Sequence, residues 1–563
     1  MMIFCLIVVV ASQLAPPQVP SVWPWPSSIN ITTEGAAVAY LSPSQTLFTC
    51  ESSFCHPALL QAIERSRAQT FFADPSRVSP VQHPVFSVRI VVLSPTMTPA
   101  DETFNPQWPT HDESYQMQVS VGLAILTANT EYGALYALTS FAQIVEFDVV
   151  NDAATNPFFY GSYTIKHLPL SVVDAPRFAW RGLLLDTSRH FISMANILSV
   201  IDGIAANKMN VFHFHAVDDH SHPLYSQTYP DLSLKGAWRP YLIYTTEELR
   251  MLVRYAADRG VRVILELDMP AHATSWGKGH PEIIVYCDTD SGSERDTLFD
   301  PRDHTYDFLS LLFEEMVSIF PSVHFHIGFD EVVYACWEQS EEITAWRTSM
   351  GFTSWEEVHG YFLANIQAII HDRLNRTSVI WHEGFVADIG ARSDTIVQVW
   401  RGYEPENALV EALRAGHYVL YSRGFYLDQM VPQKPPPSMH YFMEDTWKDF
   451  YRNDPYNRGE DDLTEEEKTR VIGGEGCAWA EQMDDNSIQP RIFARVAAIA
   501  ENLWSPRTVT DSFSSPELAA SRFVLHRCNL VRRFGLKATP LTPDYCDDGL
   551  SLPDAYTKWM VKK

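Results

Sequence analysis

The sequence predicts an α/β protein whose main part is a (β/α)8 TIM barrel catalytic domain preceded by a smaller α+β N-terminal domain. Three observations carry that prediction. From Trp180 onward, eight short apolar runs alternate with stretches whose apolar residues recur at helical spacing. Those eight units fill about 330 residues, a length that suits one barrel with insertions. The carboxyl ends of the runs also concentrate carboxylates, histidines and tryptophans, and that is the end at which a barrel presents its working side chains.

Composition allows such an architecture and narrows the partners. The chain has 563 residues, 46% of them apolar, enough for a large core and more than one domain. Acidic residues outnumber basic ones 69 to 42, for a net charge of −27, and no Lys/Arg-rich stripe stands out. This argues against nucleic acid and favours a neutral or weakly charged substrate. Met1 to Ala11 is an apolar run without charge that ends in the small residues Val9-Val10-Ala11, and Pro16, Pro17 and Pro20 follow. It reads as a signal peptide over roughly residues 1–15, which implies a secreted or lysosomal destination. The run is too short to span a bilayer, and no later segment reaches the ~18 uninterrupted apolar residues of a membrane helix, so no membrane span is expected.

The first module, residues 22–165, contains strand patterns at Phe86 to Leu93 and Gln116 to Leu126 and a helix pattern at Glu131 to Ile144. The barrel is assigned to residues 175–545 and a C-terminal tail to 546–563. Its strand candidates are Gly182 to Asp186, Val211 to Val217, Val261 to Leu267, Val323 to Gly328, Ser378 to Trp381, Thr395 to Trp400, Tyr418 to Ser422 and Val471 to Trp479. Helices fall between them. Met194, Ile197, Leu198, Ile201 and Ile204 share one helical face, as do Trp355, Val358, Phe362, Ile366 and Ile370. Pro435 to Pro437 and the acidic stretch Glu460 to Lys468 lie between strands seven and eight, where a long loop is tolerated.

Read in order, the strand ends offer Arg181 and Asp186; His215, Asp218 and Asp219; His272; Asp330 and Glu331; Trp381 and Glu383; Trp400; Tyr426 and Asp428; Trp479 and Glu481. Singly, each has a structural reading: a tryptophan in the core, His213 and His215 as interior histidines, Asp186 paired with Arg189. Together they describe a sugar pocket, since pyranose faces stack on aromatic rings while carboxylates and arginine bind hydroxyls. Asp330 and Glu331 are adjacent at a strand end, so they point in different directions and can do different work. One can be held ionised while the other, less solvated, keeps a proton.

Of the eight cysteines, Cys5 would leave with the signal peptide. Cys50/Cys55, Cys287/Cys336 and Cys528/Cys546 are candidate pairs and Cys477 is left over, although spacing does not prove connectivity. No C-x-x-C or His-rich cluster suggests zinc, and no metal or organic cofactor is implied. Asn30 and Asn375 open N-x-[ST] sequons, in keeping with a secretory route.

Three segments carry a resemblance: Trp180-Arg-Gly-Leu-Leu-Leu-Asp-Thr-Ser-Arg-His190, His326-Ile-Gly-Phe-Asp-Glu-Val332 and Gly473-Gly-Glu-Gly-Cys-Ala-Trp-Ala-Glu481. In this order they resemble glycoside hydrolase family 20, the β-N-acetylhexosaminidases. Asn210-Val-Phe-His-Phe-His-Ala-Val-Asp-Asp219 and Asn502-Leu-Trp-Ser505 resemble its eukaryotic lysosomal branch. The resemblance implies substrate-assisted hydrolysis of a glycan ending in N-acetylhexosamine, the substrate's own acetamido group serving as nucleophile. It makes Glu331 the acid and base, Asp330 the acceptor of the acetamido N–H, and Tyr426 a donor to the acetamido oxygen. Trp381, Trp400 and Trp479 become the walls; Arg181 binds O3 and O4, Glu481 binds O4 and O6, and Asp428 joins the substrate-binding set. His272 pairs with Asp218, or with Asp219, to orient Glu331. A homodimer through the barrel face near the site is also implied, and an acidic pH optimum is expected from the compartment and from an acid that must hold its proton.

Two departures from the family pattern stand out. Phe329 occupies the second of two usual glycines before the catalytic pair; the change is harmless if the residue faces the barrel wall and disruptive if the position needs a positive φ. The segment Tyr426-Leu-Asp428-Gln429 carries an acid where members accepting anionic sugars carry Asn-Arg, which implies a preference for neutral N-acetylhexosamine over 6-sulfated forms. Three other readings remain at this point: a carbohydrate-binding protein that lost activity through Phe329, a two-carboxylate glycosidase acting on non-acetylated sugars, and an adhesion protein.

Overall fold

The computed structural model describes residues 21–79, 84–94, 112–150, 160–287, 297–401, 408–428, 446–456, 463–512, 516–541 and 546. The signal-peptide expectation, the Pro435 to Pro437 loop and all of the expected C-terminal tail except Cys546 lie outside the described residues.

The N-terminal part contributes nine strands: β1 (Ser28–Ile31), β2 (Ala37–Leu41), β3 (Thr46–Cys50), β4 (Phe86–Val92), β5 (Tyr115–Ser120), β6 (Leu123–Ala128), β7 (Glu146–Val150), β8 (Tyr160–Leu168) and β9 (Leu170–Asp174). Six form a sheet in the order β1-β9-β5-β6-β4-β3, and β2-β8-β7 form a second. Alternation sets which face is covered: Phe86, Val88, Ile90 and Val92 of β4 are buried. The helices Pro57–Thr70 and Glu131–Ile144 pack against each other. Thr130 caps the second by accepting the Gly133 N–H. The single strand expected over Gln116 to Leu126 is instead the hairpin β5–β6, with Gly122 in its turn at φ +88°. A β-branched or larger residue resists that backbone; glycine takes it freely, and the chain reverses there.

The barrel strands are β10 (Trp180–Asp186), β11 (Val211–His215), β12 (Arg262–Met269), β15 (His324–Gly328), β16 (Thr377–Trp381), β17 (Ile396–Val399), β18 (Tyr418–Tyr421) and β19 (Val471–Ala478), all parallel and closed by the β19–β10 pairing. A small hairpin, β13 (Ile284–Tyr286) and β14 (Thr297–Phe299), is inserted after β12. All eight strands lie at the positions the apolar runs predict, and no end moves by more than two residues. Their outward side chains join the helices in one apolar cluster. The interior is layered. Trp180, Val211, Ile264, Val323, Val379, Ile396, Leu420 and Ile472 form an apolar plug. A polar tier of His213, Glu266, His326, Gln398 and Glu475 lies inside the barrel, all five buried. A further cluster, Leu184, Trp381 and Cys477, packs against Trp400, Tyr426 and Trp479.

Arg181 is not where the resemblance puts it. As the second residue of β10 it sits at the amino end of the strand, facing the N-terminal domain, fully buried. Its Nη1 and Nη2 each donate to Glu113 at 2.9 Å, its Nε donates to the Lys208 carbonyl at 2.9 Å, and its Nη2 lies 3.2 Å from the Tyr136 hydroxyl. A second buried pair, Lys208 Nζ to Asp174 at 2.9 Å, adjoins it. Arg181 therefore ties the two domains together at the closed end of the barrel and binds no sugar.

The three candidate cysteine pairs are disulfides, Cys50–Cys55, Cys287–Cys336 and Cys528–Cys546, and Cys477 is a buried thiol. Asn30 and Asn375 are both exposed. No helix among the described residues is long and apolar enough to cross a membrane.

Candidate active site

The site is assembled at the carboxyl ends of the strands, around the turn that ends β15. Gly328, Phe329 and Glu331 all have positive φ, +71°, +74° and +52°. This tight reversal turns Asp330 inward, 9% exposed, and leaves the Glu331 side chain 44% exposed. Phe329 thus combines both halves of the alternative drawn from sequence. The position does use left-handed backbone, at a cost of about 1–2 kcal/mol for a non-glycine residue. Its ring, however, is fully buried in the barrel wall, stacked on His359 at 5.4 Å and 3°. Burying such a ring contributes about 1.5–3 kcal/mol. The two effects are of similar size, and Asp330 is turned into the site.

His272, in the loop after β12, connects the carboxylates. Its Nε2 lies 3.6 Å from Asp330 Oδ2 and 3.7 Å from Glu331 Oε2. Its Nδ1 is 3.4 Å from Asp219 Oδ2 and 3.6 Å from Asp218 Oδ1. Both aspartates flank it. Asp219 is also fixed by the Thr274 N–H and hydroxyl, and Asp218 by Arg189 Nη2 at 2.8 Å and His215 Nε2 at 3.0 Å. Burial opposes charge on His272, but the surrounding Asp218, Asp330 and Asp268 carboxylates hold its pKa well above the usual imidazole value. Below this tier His215 bridges Asp218 and Glu266, and His213 bridges Glu266 at 3.1 Å and Glu475 at 3.0 Å. These groups converge closely enough to be metal donors in principle, and the histidines among them already face a carboxylate: His213, His215 and His326 lie against Glu266, and His272 against Asp218, Asp219 and Asp330.

Glu266 also accepts the Trp381 Nε1–H at 2.9 Å, so the polar tier fixes the orientation of the pocket wall above it. Trp381 is buried, its ring centroid 6.0 Å from Trp479 and 6.4 Å from Trp400, and Tyr426 stacks on Trp400 at 5.9 Å. Trp400 is anchored by its Nε1–H to Glu383 Oε2, 2.8 Å. Burial, together with Cys477 and Asp428, raises the Tyr426 phenol well above its usual pKa, which keeps its hydroxyl a donor. Asp428, two residues on, is half-buried.

The arginine at this end of β10 is Arg189. It sits three residues beyond β10, with Nη1 3.3 Å from Asp186 and its guanidinium 5.1 Å from the Trp479 ring centroid. Burial raises the carboxyl pKa of Glu481, and Arg189 opposes the rise. The signal that separates the two arginines was available in sequence: Arg181 precedes the apolar run and Arg189 follows it.

Burial raises the Asp330 carboxyl from 3.8 to about 6, Glu266 and Glu331 adding to the effect and His272 opposing it. An acid whose folded pKa is raised binds more protons folded than unfolded, so its stabilising share is full below 3.8 and is lost as pH rises through about 6. Asp330→Asn removes that penalty. It is expected to melt several degrees higher than the wild type at pH 7 and at the same temperature at pH 3.5, with activity reduced at both; equal melting at pH 7 would contradict this account.

The comparisons with known proteins fit this geometry. Residues 178–507 match the model for the glycosyl hydrolase family 20 catalytic domain, and residues 22–144 match the beta-acetyl hexosaminidase-like model. The chain belongs to glycoside hydrolase family 20. It is 33% identical over 539 residues to beta-hexosaminidase subunit beta of Felis catus, covering 94% of each chain. It is 37% identical over 444 residues to subunit alpha of Mus musculus, covering 77% of this chain and 78% of that one. Among solved structures, the Flavobacterium johnsoniae chitobiase superposes with a TM-score of 0.75 at 26% identity, covering 92% of this chain and 73% of that one. This family 20 member is a glycoside hydrolase, and nothing in the comparisons favours a binding protein that has lost its chemistry.

Proposed function

We propose that the protein is an exo-acting β-N-acetylhexosaminidase that removes terminal non-reducing N-acetylglucosamine or N-acetylgalactosamine, with retention, through the substrate's acetamido group. The observation that carries this reading is the division of labour between the adjacent carboxyls. Asp330 is buried beside the aromatic walls, and its Oδ1 has no hydrogen-bond partner among the described residues; it is suited to accept the acetamido N–H. Glu331 stands at the mouth, suited to give its proton to the glycosidic oxygen and then take one from water. Between those steps the acetamido oxygen attacks C1 to give an oxazolinium, with the Tyr426 hydroxyl donating to that oxygen. Trp381, Trp400 and Trp479 enclose the ring, and Arg189, Asp428 and Glu481 supply partners for its hydroxyls.

The test is a panel of phenyl β-glycosides. The N-acetylglucosaminide and N-acetylgalactosaminide are expected to be hydrolysed and the plain glucoside, which lacks the nucleophile, to be inert; comparable turnover of the glucoside would overturn the mechanism. Because Asp428 places a carboxylate at the pocket, a 6-sulfated N-acetylglucosaminide is expected to react at least tenfold more slowly, and equal rates would refute that preference. The disulfides, the exposed sequon asparagines and the apolar amino terminus support a secreted or lysosomal destination. A homodimer is part of the same reading, and light scattering measures it.

A further inference from the structure

Arg401 follows Trp400 directly and lies on its ring, guanidinium carbon 3.9 Å from the centroid. From there it contacts the Glu331 carboxylate and reaches within 3.8 Å of Glu383 Oε1, while remaining 43% exposed. Beside it opens a cavity of about 540 Å³, lined among others by Glu331, Val332, Val333, Tyr334 and Leu298. That volume falls within the about 300–1,000 Å³ of small-molecule sites. The cavity shares His272 and Glu331 with the catalytic cluster and includes none of the walls Trp381, Trp400, Trp479 and Tyr426. A general acid stands at the glycosidic oxygen, with the reacting sugar on one side and the leaving group on the other. The aromatic pocket takes the sugar, so the cavity faces the leaving group.

We propose that Arg401 is a specificity-determining residue for the leaving group, receiving an anionic substituent, carboxylate or sulfate, borne by the residue to which the N-acetylhexosamine is linked. The reason lies in the charges around it. Without substrate, Arg401 is paired with Glu331. Glu331 must carry a proton to act as the acid, and in that form it no longer offers Arg401 a negative partner. The other carboxyl that Arg401 reaches among the described residues, Glu383, is pushed up to about 7 by burial and is neutral at the acidic pH where the enzyme is expected to work. Asp219 also lines the cavity but is taken by Thr274 and faces His272. In the reacting state Arg401 is therefore a cation without a charged partner among the described residues, at a half-sheltered mouth, and an anion on the leaving group both restores the pair and draws Arg401 off Glu331. Anionic recognition then belongs to the leaving group, while the Asp428 carboxylate disfavours an anion on the sugar in the pocket itself.

This assignment rests on the hexosaminidase reading and has its own test. The substrates are N-acetylglucosamine β-linked to glucose, to glucuronate and to a sulfated glucose, with kcat/KM measured for wild type, Arg401→Gln and Arg401→Lys. The wild type is expected to favour each anionic conjugate over the glucose conjugate by about tenfold, the size of one charge pair in a sheltered site. The preference is expected to vanish in Arg401→Gln, to persist in part in Arg401→Lys, and to shrink in 0.5 M salt. Because the measure is a ratio within one preparation, a partly folded variant does not distort it, and the wild-type salt dependence stands even if Arg401→Gln does not fold. Equal wild-type rates on neutral and anionic conjugates, or an unchanged ratio in Arg401→Gln, would overturn the assignment. Preference for one anion alone narrows it to that chemistry. A wild type that cleaves none of the three overturns the hexosaminidase reading itself.

Discussion

Glu331→Gln is expected to lower kcat on a disaccharide substrate by roughly 10²- to 10⁴-fold, the usual contribution of a positioned acid–base group. The amide keeps the shape of the side chain but cannot deliver a proton to the glycosidic oxygen or remove one from the incoming water. The loss should depend on the leaving group. A nitrophenolate departs without protonation, so the variant should keep far more of its activity on the nitrophenyl glycoside than on the disaccharide. A merely structural role for Glu331 would lower both equally, and a loss of less than tenfold on the disaccharide would remove Glu331 from the role. Thermal melting controls for folding; little change is expected because the side chain is 44% exposed.

Arg181→Met is expected to do the opposite: cost about 3–5 kcal/mol of stability and leave kcat and KM of the folded fraction unchanged. Removing the guanidinium leaves the buried Glu113 carboxylate without its counter-charge, with only the neutral donors Tyr136 and Asn210 still bonded to it among the described residues. Breaking one member of a buried ion pair carries a penalty of that size because the remaining charge stays desolvated. Arg189→Met should lower kcat/KM by roughly ten- to a hundredfold, the range of one charge-assisted hydrogen bond. Because Arg189→Met also breaks buried pairs, with Asp186 and Asp218, both variants should lose stability, and steady-state kinetics of the folded fraction separates the two arginines; a KM defect in Arg181→Met would return that residue to the sugar pocket.

The contrast between these arginines shows what was legible in the sequence. The barrel was, because a parallel strand buried on both faces must be an apolar run, and eight runs separated by helical periodicity leave few other ways to fold. The adjacency of the two candidate carboxyls was legible too, since neighbours at a strand end are a local fact: placing Asp330 and Glu331 together needed only β15 to be recognised. The hairpin β5–β6 was less so, because the one glycine that reverses the chain lies inside a continuous run of strand-forming residues.

What only the tertiary structure decided are contacts between segments far apart in the chain. Glu266 meets His213, His215, His326 and Trp381 because four different strands turn those side chains into one barrel interior, where unpaired charge is too costly to leave unmatched. Arg401 meets Glu331 across 70 residues because the ends of β15 and β17 open on the same face. Phe329 is tolerated in left-handed backbone because a pocket in the wall, with His359 beneath it, repays the strain by burying the ring. Sequence placed the candidate carboxylates and tryptophans on the strands that bear them, but it set Arg181 at the wrong end of β10 and did not single out Arg401. Barrel closure determined which charges neutralise one another and which groups meet at the mouth of the site, since both depend on distances that no local pattern encodes.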